Sequence, residues 1–338
     1  MELFKLTRAL VDIESITGNE EQVGLFLFDR LSSLADQYGG RVERIEVEPR
    51  RFNVLAHWGE PVVTLSTHMD TVPPFLPSRE DDEYIWGRAS CDTKGIIASM
   101  ITAVEALLAQ GVRNIGLLFV VGEERNSAGA LAMAGNGRGA RFFINGEPTE
   151  NKLALGSKGA LRYEIVAEGK MAHSAYPELG ESAIDKLLDA LAEIRKMPLP
   201  ADPVLGPSTL NIGTIAGGRA PNVIADNALA EVMIRLVDDG NRIRQYVEKA
   251  VRGRAKAIEV ITIPAVRLGA LEGFETTVVA FTTDIPAFGS AWGQPFLLGP
   301  GSIHVAHTAQ ERVPKQQLVE AVEIYQKMVK QLLYGTKN

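Results

Sequence analysis

The chain has 338 residues, more than one hydrophobic core usually holds, so its length predicts two domains. Hydrophobic residues make up 46 % and charged residues 23 %, as in ordinary soluble globular proteins. The net charge of -7 is spread along the chain without a basic stripe, which argues against a nucleic-acid partner.

The compartment is suggested by Cys91 and by the first helix. Cys91 is the only cysteine, so no intrachain disulfide can form. Residues 1–15 have apolar side chains at roughly helical spacing, interrupted by charges, which indicates a surface helix rather than a signal peptide or a membrane span. We therefore expect a cytoplasmic protein with no membrane partner, although a secreted cysteine-poor enzyme would look similar once its signal had been removed.

The next elements are a helix and three strands. Residues 17–20 have the T-x-x-E form of a capping box, which predicts that Thr17 caps a second amphipathic helix. Two strands separated by a charged turn follow, and then the buried strand Val62–Thr67, which leads directly into His68-Met69-Asp70. The end of that strand thus delivers a histidine and an acid, although a strand-end histidine bonded to a nearby acid is also a common structural pair.

An unbroken apolar run, Ile115–Val121, predicts a strand covered on both faces, as in parallel sheets. Glu123 and Glu124 follow it, at the sheet edge where open α/β proteins bind ligands. Two neighbouring carboxylates repel each other and are costly to desolvate unless a cation compensates them. The alternative is a solvated loop that begins with two acids.

Further ligand types follow other predicted elements. The strand RFFIN leads into Glu147, and Asp92 lies in the loop GRASCDTKG, where it could also be a helix N-cap. Zn²⁺ accepts mixed imidazole and carboxylate ligands, and paired metals commonly share a carboxylate. Two histidines and three carboxylates match such a paired site. Cys91 has no base beside it in the sequence, which argues against a thiolate nucleophile.

The pattern changes near Lys158. Residues 158–268 read as β-α-β-β-α-β, the split unit of a ferredoxin-like domain, inserted into a larger α/β domain. We therefore predict a first catalytic segment over 1–157, the inserted domain over 158–268 and a second catalytic segment over 269–338. In that last segment His304 and His307 follow a Gly-Pro-Gly turn, and spacing alone does not decide which of them binds a metal.

Taken together, seven segments resemble the co-catalytic zinc aminoacylase and carboxypeptidase family, which includes acetylornithine deacetylase, acetyl-lysine deacetylase, succinyl-diaminopimelate desuccinylase and glutamate carboxypeptidase. The segments fall in family order across almost the whole chain: STHMDTVP, GRASCDTKG, GEERNSAGA, INGEPT, HSAYPELGESA, GGRAPNVIAD and GPGSIHVAHTAQE. The resemblance implies a zinc-peptidase-like α/β fold, with a mixed, mostly parallel sheet flanked by helices and an inserted ferredoxin-like α+β lid or dimerisation domain.

The resemblance also implies a role for each matching residue. His68 and Glu147 would bind one metal, Glu124 and His307 the other, and Asp92 would bridge both. Asp70 would orient His68 by accepting its other ring N–H. Glu123 would be the general base, taking a proton from the attacking water and passing it to the leaving amine.

Five more positions are predicted to act in catalysis or substrate binding, and the resemblance carries the first three. His173 would stabilise the oxyanion, commonly in the active site of a partner subunit. Arg219 and Asn222 match substrate-contacting residues, and a guanidinium can hold a carboxylate through two hydrogen bonds. Gly301 lies in the matching glycine-rich turn. Arg235 is assigned to the substrate with a solvated cross-strand pair as an equal alternative.

We therefore expect a metal-dependent hydrolase with two Zn²⁺, or Co²⁺ or Mn²⁺ in their place, that cleaves the amide of a small N-acyl amino acid or short peptide. By resemblance, Glu147 fits the deacylase and carboxypeptidase members better than the aminopeptidases. The compact length and the GEPTENKLALGSKG stretch favour a deacetylase of the N-acetyl-ornithine or N-acetyl-lysine type. The alternatives are a dipeptidase or carboxypeptidase of the same family and a non-catalytic binding protein. The inserted domain is expected to form a homodimer.

Overall fold

The computed structural model describes residues 2–335, which form two compact units. The larger unit comprises the residues up to 155, residues 268–277 and the residues from 283 onward. The smaller unit comprises residues 156–267 and 278–282. Among the described helices, none is both long enough and apolar enough to cross a membrane.

The helices, in chain order, are α1 (Leu3–Val11), α2 (Glu21–Tyr38), α3 (Gly95–Ala109), α4 (Ala128–Ala132), α5 (Ala183–Ile194), α6 (Asn241–Val251), α7 (Ile285–Phe288) and α8 (Lys315–Tyr334). The strands are β1 (Arg41–Glu48), β2 (Arg51–Trp58), β3 (Val63–His68), β4 (Arg79–Glu80), β5 (Tyr84–Trp86), β6 (Ile115–Val120), β7 (Phe142–Asn145), β8 (Leu153–Ser157), β9 (Gly159–Glu168), β10 (Ala201–Asp202), β11 (Gly206–Pro207), β12 (Thr209–Gly217), β13 (Asn227–Leu236), β14 (Lys256–Ile263), β15 (Val266–Arg267), β16 (Thr276–Val279), β17 (Gln294–Leu297) and β18 (Arg312–Pro314).

The larger unit is built on a six-stranded mixed sheet with the order β1-β2-β6-β3-β7-β17. β6, β3, β7 and β17 are parallel to one another, whereas β1 and β2 join as an antiparallel pair. All six residues of β3 and of β6 are buried. β6 is an unbroken apolar run, as expected for a strand covered on both faces, whereas β3 also buries Thr64, Ser66, Thr67 and His68. Helices α2, α3 and α8 pack against this sheet and complete the core. The predicted mixed α/β sheet flanked by helices is therefore confirmed.

The smaller unit has a four-stranded antiparallel sheet with the order β12-β13-β9-β14. Alternate residues of β9 and β13 are buried, and helices α5 and α6 pack on that face. The order β9-α5-β12-β13-α6-β14 is that of a ferredoxin-like unit, with the short pair β10-β11 added. Residues 278–282, predicted within the second catalytic segment, pack here, because Lys158 N–H donates to Val279 O at 3.1 Å.

The start of α2 differs from its prediction. The residue before the helix is Glu20, and the Thr17 hydroxyl donates to the Asp70 carboxylate at 2.7 Å rather than capping α2. Glu20 forms a buried ion pair with Arg51, whose nitrogens lie 2.6 and 2.7 Å from its two oxygens. The capping-box prediction is wrong because both side chains have stronger partners elsewhere in the tertiary structure.

Candidate metal centre and active site

The parallel strands bring their carboxyl ends to one edge of the larger sheet. His68 is the last residue of β3 and lies opposite Val120, the last residue of β6. Glu123 and Glu124 follow β6, and Glu147 follows β7, the neighbour of β3 on its other side. Parallel pairing therefore places these four side chains at one edge, where open α/β sheets bind ligands.

Asp92 lies between two imidazoles. Its Oδ1 is 3.2 Å from Nε2 of His68, and its Oδ2 is 3.3 Å from Nε2 of His307. The same His307 nitrogen is 2.9 Å from Oε1 of Glu124. One carboxylate with an imidazole at each oxygen is the arrangement needed to bridge two cations.

A turn at Ser90–Lys94 holds Asp92 in this position, immediately before α3 begins. The Thr93 hydroxyl donates to the main-chain oxygen of His68 at 2.6 Å and so fastens the turn to the end of β3. The carboxylate of Asp92 faces the two imidazoles instead of the first turn of α3. The alternative that Asp92 is a helix N-cap is therefore wrong.

Asp70 orients the neighbouring segments. Its carboxylate accepts the main-chain N–H groups of Glu123 at 3.1 Å and Glu124 at 3.3 Å, besides the Thr17 hydroxyl. His68 Nδ1 lies 2.9 Å from the main-chain oxygen of Asp70 but 3.6 Å from its carboxylate. The acceptor of the ring N–H is thus the carbonyl rather than the predicted carboxylate. With Nδ1 donating to that carbonyl, Nε2 is the His68 nitrogen that faces Asp92 and could bind a metal after losing its proton.

The electrostatics of the cluster favour positive charge at its centre. Burial alone would lower the pKa of the His68 imidazole, but the carboxylates of Asp70 and Asp92 raise it well above its usual value. Hydrogen bonding to Asp92 and Glu124 raises the pKa of His307 to about 10. Burial would raise the pKa of Asp92, and the two imidazoles outweigh it and hold that pKa below its usual range.

The remaining acids lack such compensation. Burial raises the pKa of Glu123 and of Glu147 well above the usual range, and the charges of Asp284 and Glu124 add to both shifts. Burial likewise raises the pKa of Asp284 to about 7. Neither carboxylate oxygen of Asp284 has a hydrogen-bond partner within residues 2–335. Asp284 is a buried acid near the cluster, and no motif in the sequence singles it out.

These side chains fit a divalent metal pair. His68, Asp92 and Glu124 each offer a ligand atom within 4.8 Å of the others, and His307 adjoins two of them. Imidazole nitrogen and carboxylate oxygen together suit zinc and similar ions. Cations at this edge would offset the acids whose pKa values are raised by burial, which is the compensation that buried carboxylates need.

Other residues of the larger unit are placed as follows. His304 is exposed, and residues 303–307 form turns rather than a helix, so His307 alone of the two histidines reaches the cluster. Gly301 is buried, with φ of 88°, and a side chain there would meet Cys91 Sγ at 2.4 Å. Gly301 thus allows close packing on Cys91. Burial raises the pKa of the Cys91 thiol, which disfavours a thiolate.

In the smaller unit, two loops bring His173 and Asn222 together. Ser174 N–H donates to Asn222 O at 3.0 Å, Ile224 N–H donates to Ala172 O at 2.9 Å, and His173 pairs with Val223 as a β-bridge. We call residues 172–174 and 222–224 the paired loops. His173 Nδ1 accepts the Ala175 N–H at 3.1 Å, so the neutral ring carries its proton on Nε2.

The two arginines differ in position. Arg219 is exposed near the paired loops, and its guanidinium binds Asp226 through two hydrogen bonds of 2.8 and 3.3 Å. Arg235 is half-buried on β13, opposite Thr209 and Ala160, where burial lowers its pKa. The structure thus places Arg219, but not Arg235, beside the loops that carry His173 and Asn222.

Comparison with known proteins identifies the family. The model of the peptidase family M20/M25/M40 matches residues 64–331. A Peptidase M20 domain-containing protein of Schizosaccharomyces pombe is 40% identical, over 97% of this chain and 84% of that protein. A probable carboxypeptidase of Aspergillus niger is 37% identical, over 95% of this chain and 88% of that protein. The chain therefore belongs to the peptidase family M20/M25/M40.

Solved structures share the fold. The aminopeptidase PepT of Bacillus cereus superposes with a TM-score of 0.82 at 20% identity, covering 98% of each chain. A Bacillus subtilis protein described as a dinuclear metal binding peptidase from the M20 family superposes with a TM-score of 0.71 at 16% identity, covering 99% of this chain and 98% of that one. These two likenesses show the fold. The family match and the probable carboxypeptidase relative confirm the prediction of a metal-dependent hydrolase, acting on peptide bonds.

Proposed function

We propose that the chain cleaves the amide bond of a small N-acyl amino acid or short peptide, using two metal ions held by His68, Asp92, Glu124, Glu147 and His307. The observation that carries this proposal is Asp92, whose two carboxylate oxygens each face a different imidazole. His68 and Glu147 would hold one ion, Glu124 and His307 the other, with Asp92 shared. Zn²⁺ suits these ligands, and Co²⁺ or Mn²⁺ could replace it.

When bound, the metals would lower the pKa of water and polarise the substrate carbonyl. Glu123 would accept the proton of the attacking water and deliver it to the nitrogen of the leaving amine. Its main-chain N–H is held by Asp70, and so is that of its neighbour Glu124. A ligand and a base on adjacent residues therefore share one anchor, which fixes the base relative to the ligand.

The paired loops would supply substrate contacts. His173 presents Nε2–H as a donor, because its Nδ1 accepts the Ala175 N–H, and a donor of this kind can stabilise a developing oxyanion. Arg219 would bind the substrate carboxylate after exchanging its bond with Asp226, and Asn222 would contact the substrate from the same loop. Gly301 and Arg235 are the other two predicted substrate-binding residues. Gly301 lies in a packing position, and Arg235 lies on a strand face.

This proposal is compatible with two classes of substrate, N-acetyl amino acids and peptides. The sequence motifs favour a deacetylase of the N-acetyl-ornithine or N-acetyl-lysine type. The name of the Aspergillus niger relative favours a carboxypeptidase, which cuts the amide beside a free C-terminal carboxylate. Both substrates present an amide next to an amino acid that leaves with a free carboxylate, so the same arginine would serve either.

The test is a substrate panel on metal-reconstituted protein. N-acetyl and N-succinyl amino acids, dipeptides and longer peptides would be assayed with and without a chelator, with metal content measured in parallel. We expect two metals per chain and hydrolysis of at least one class that stops on chelation. Activity that survives complete removal of metal would overturn the proposal.

The assembly and the compartment are proposals as well. We expect a cytoplasmic homodimer joined through the smaller unit, with each subunit's His173 serving its partner. A sedimentation experiment that finds only monomers at assay concentration, with full activity, would contradict this assembly.

A further inference from the structure

A buried ion pair, formed by Arg88 and Glu311, lies behind the bridging carboxylate. Arg88 Nη1 is 2.6 Å from Glu311 Oε2, and both side chains are 1% exposed or less. Arg88 belongs to the segment GRASCDTKG, and Glu311 ends the segment GPGSIHVAHTAQE. Neither residue has a role in the proposed chemistry, although both lie in segments that supply metal ligands.

The free oxygen of Glu311 faces the main chain of the Asp92 turn. Glu311 Oε1 accepts the N–H of Cys91 at 3.3 Å and the N–H of Asp92 at 3.1 Å. These bonds fix the peptide that carries the Asp92 side chain, so the direction of its carboxylate depends on the place of Glu311. A carboxylate acceptor makes stronger bonds to main-chain N–H groups than a neutral oxygen does.

Arg88 connects Glu311, and with it the Asp92 turn, to the segment that carries His307. Its Nη1 also donates to the main-chain oxygen of Thr308 at 3.1 Å, directly after His307. Its Nε donates to Pro74 O at 3.3 Å, and the Gly87 N–H donates to Glu311 O at 3.1 Å. The antiparallel pair of β5 and β18 places these residues side by side, because Trp86 lies opposite Arg312.

Two acids lie close together here, and Arg88 offsets one of them. Glu311 accepts the N–H of Asp92, and the Asp92 carboxylate points to the imidazoles. Two negatively charged carboxylates therefore lie beside the same turn. The guanidinium beside Glu311 compensates the second charge, which leaves the charge of Asp92 available to cations.

We propose that Glu311, held by Arg88, is a positioning residue that sets the bridging carboxylate of Asp92 and ties its turn to the His307 segment. This inference rests on the proposed function, because it takes Asp92 and His307 as metal ligands. Partners that orient metal ligands from behind typically change metal affinity or activity about 10–100-fold when they are removed. We expect an effect of that size.

The test compares Glu311→Gln with the wild type in a chelator-competition titration with Zn²⁺ and in the visible absorption of the Co²⁺-loaded protein. Glutamine has one oxygen, so it either loses the acceptor for the Asp92 N–H or turns an amide donor toward Arg88. Metal affinity should fall about 10–100-fold, and the Co²⁺ spectrum should change.

Glu105→Gln is the control. Glu105 pairs with Arg30 at 2.5 Å between α3 and α2, in the same unit, and this pair is half-buried. The control should lose some thermal stability and keep the affinity and the spectrum of the wild type. If Glu311→Gln also keeps both while melting earlier, the pair is structural only and the inference is wrong.

A second variant covers the case in which Glu311→Gln does not fold. Arg88→Met with Glu311→Leu replaces the whole buried pair by apolar side chains, an exchange that proteins often tolerate. The double variant still removes the acceptor for the Asp92 N–H, so its metal affinity should fall too, and wild-type affinity would overturn the inference. The wild type separates the two claims: if it binds no metal, the proposed function fails regardless of Glu311.

Discussion

The cluster at the sheet edge and the paired loops of the smaller unit position their side chains in opposite ways. At the sheet edge, His68 and Asp92 are buried. The two ring nitrogens of His68 lie within hydrogen-bond distance of Asp70 O and of the Asp92 carboxylate. In the paired loops, main-chain bonds fix the backbone, while His173 and Asn222 remain exposed. Metal ligands need fixed geometry and substrate contacts need access, so this difference is what the proposed roles of the two regions require. Five predictions test this difference, from the largest expected effect to the smallest.

Glu123→Ala should abolish most turnover while leaving both metals in place. Glu123 is predicted to move the proton, and loss of a general base lowers the rate about 10²–10⁴-fold. Glu124→Ala, its neighbour, should instead lose a metal, because His307 and Glu124 face each other at 2.9 Å. Measuring kcat together with metal content separates the two roles. Normal turnover by Glu123→Ala would show that the mechanism is wrong.

His173→Ala should lower kcat about 10²–10³-fold, the usual effect of removing one oxyanion donor. Because His173 is exposed, the melting temperature and the metal content of the variant protein should equal those of the wild type. His304→Ala is the control, since His304 is also an exposed histidine but lies in the larger unit. A drop in metal content in His173→Ala would break the distinction between the two regions.

Binding of metal ions to the metal-free protein at pH 7.5 should release protons. The folded pKa of His307 is about 10, so its imidazole holds a proton there, and the pKa of His68 is shifted in the same direction. A metal ligand must be deprotonated, so affinity should rise with pH, roughly 10-fold per unit for each imidazole that loses a proton, and for His307 this rise should continue up to about pH 10. Calorimetry in buffers of different ionisation enthalpy measures the release. Proton-free binding at pH 7.5 would contradict the assigned ligands.

The raised pKa values of His68 and His307 also predict how the stability of the metal-free protein depends on pH. Because both folded pKa values are raised, the stabilisation from the imidazole–carboxylate contacts is fully present below about pH 6.5 and is lost as the pH rises through the folded values. His307 is half-exposed, so its share is reduced by solvent screening. Metal-loaded protein should show the opposite trend, since deprotonation favours its ligands. Chemical unfolding at several pH values checks both trends.

Arg219→Met should raise KM with little change in kcat, lowering kcat/KM roughly 10-fold or more, as expected for loss of a charged hydrogen bond to the substrate. Stability should hardly change, because the pair with Asp226 is exposed on the arginine side. Arg195→Met, at another exposed arginine of the same unit, is the control. An equal loss in both variants would remove Arg219 from the substrate site.

Many of the strands and helices, and the residues at the sheet edge, can be predicted from local sequence. The apolar run before Glu123 is a buried strand, and the parallel pairing it suggested brings His68, Glu124 and Glu147 to one edge. The antiparallel pair β1 and β2 and the split unit also follow from their periodicity. The signal is local in each case, because a strand's burial pattern depends on its own residues and on the sheet type.

Other features depend on partners that are distant in the sequence. Thr17 has the spacing of a helix cap, yet its hydroxyl binds Asp70, 53 residues away. The periodicity of Ser90–Lys94 gives no hint that Asp92 will face two imidazoles. Asp284 looks like any polar residue after a strand, and only packing buries it. In each case a side chain with several possible partners takes the one that the fold brings close.

The sequence by itself determined which residue types end the strands, and therefore the class of chemistry, because parallel strands must align their carboxyl ends at one edge. The tertiary structure alone decided how those residues are held. The Arg88–Glu311 contact joins residues 223 positions apart through the pairing of β5 with β18. No local pattern encodes such a contact, since its energy depends on which two segments the folded chain places side by side.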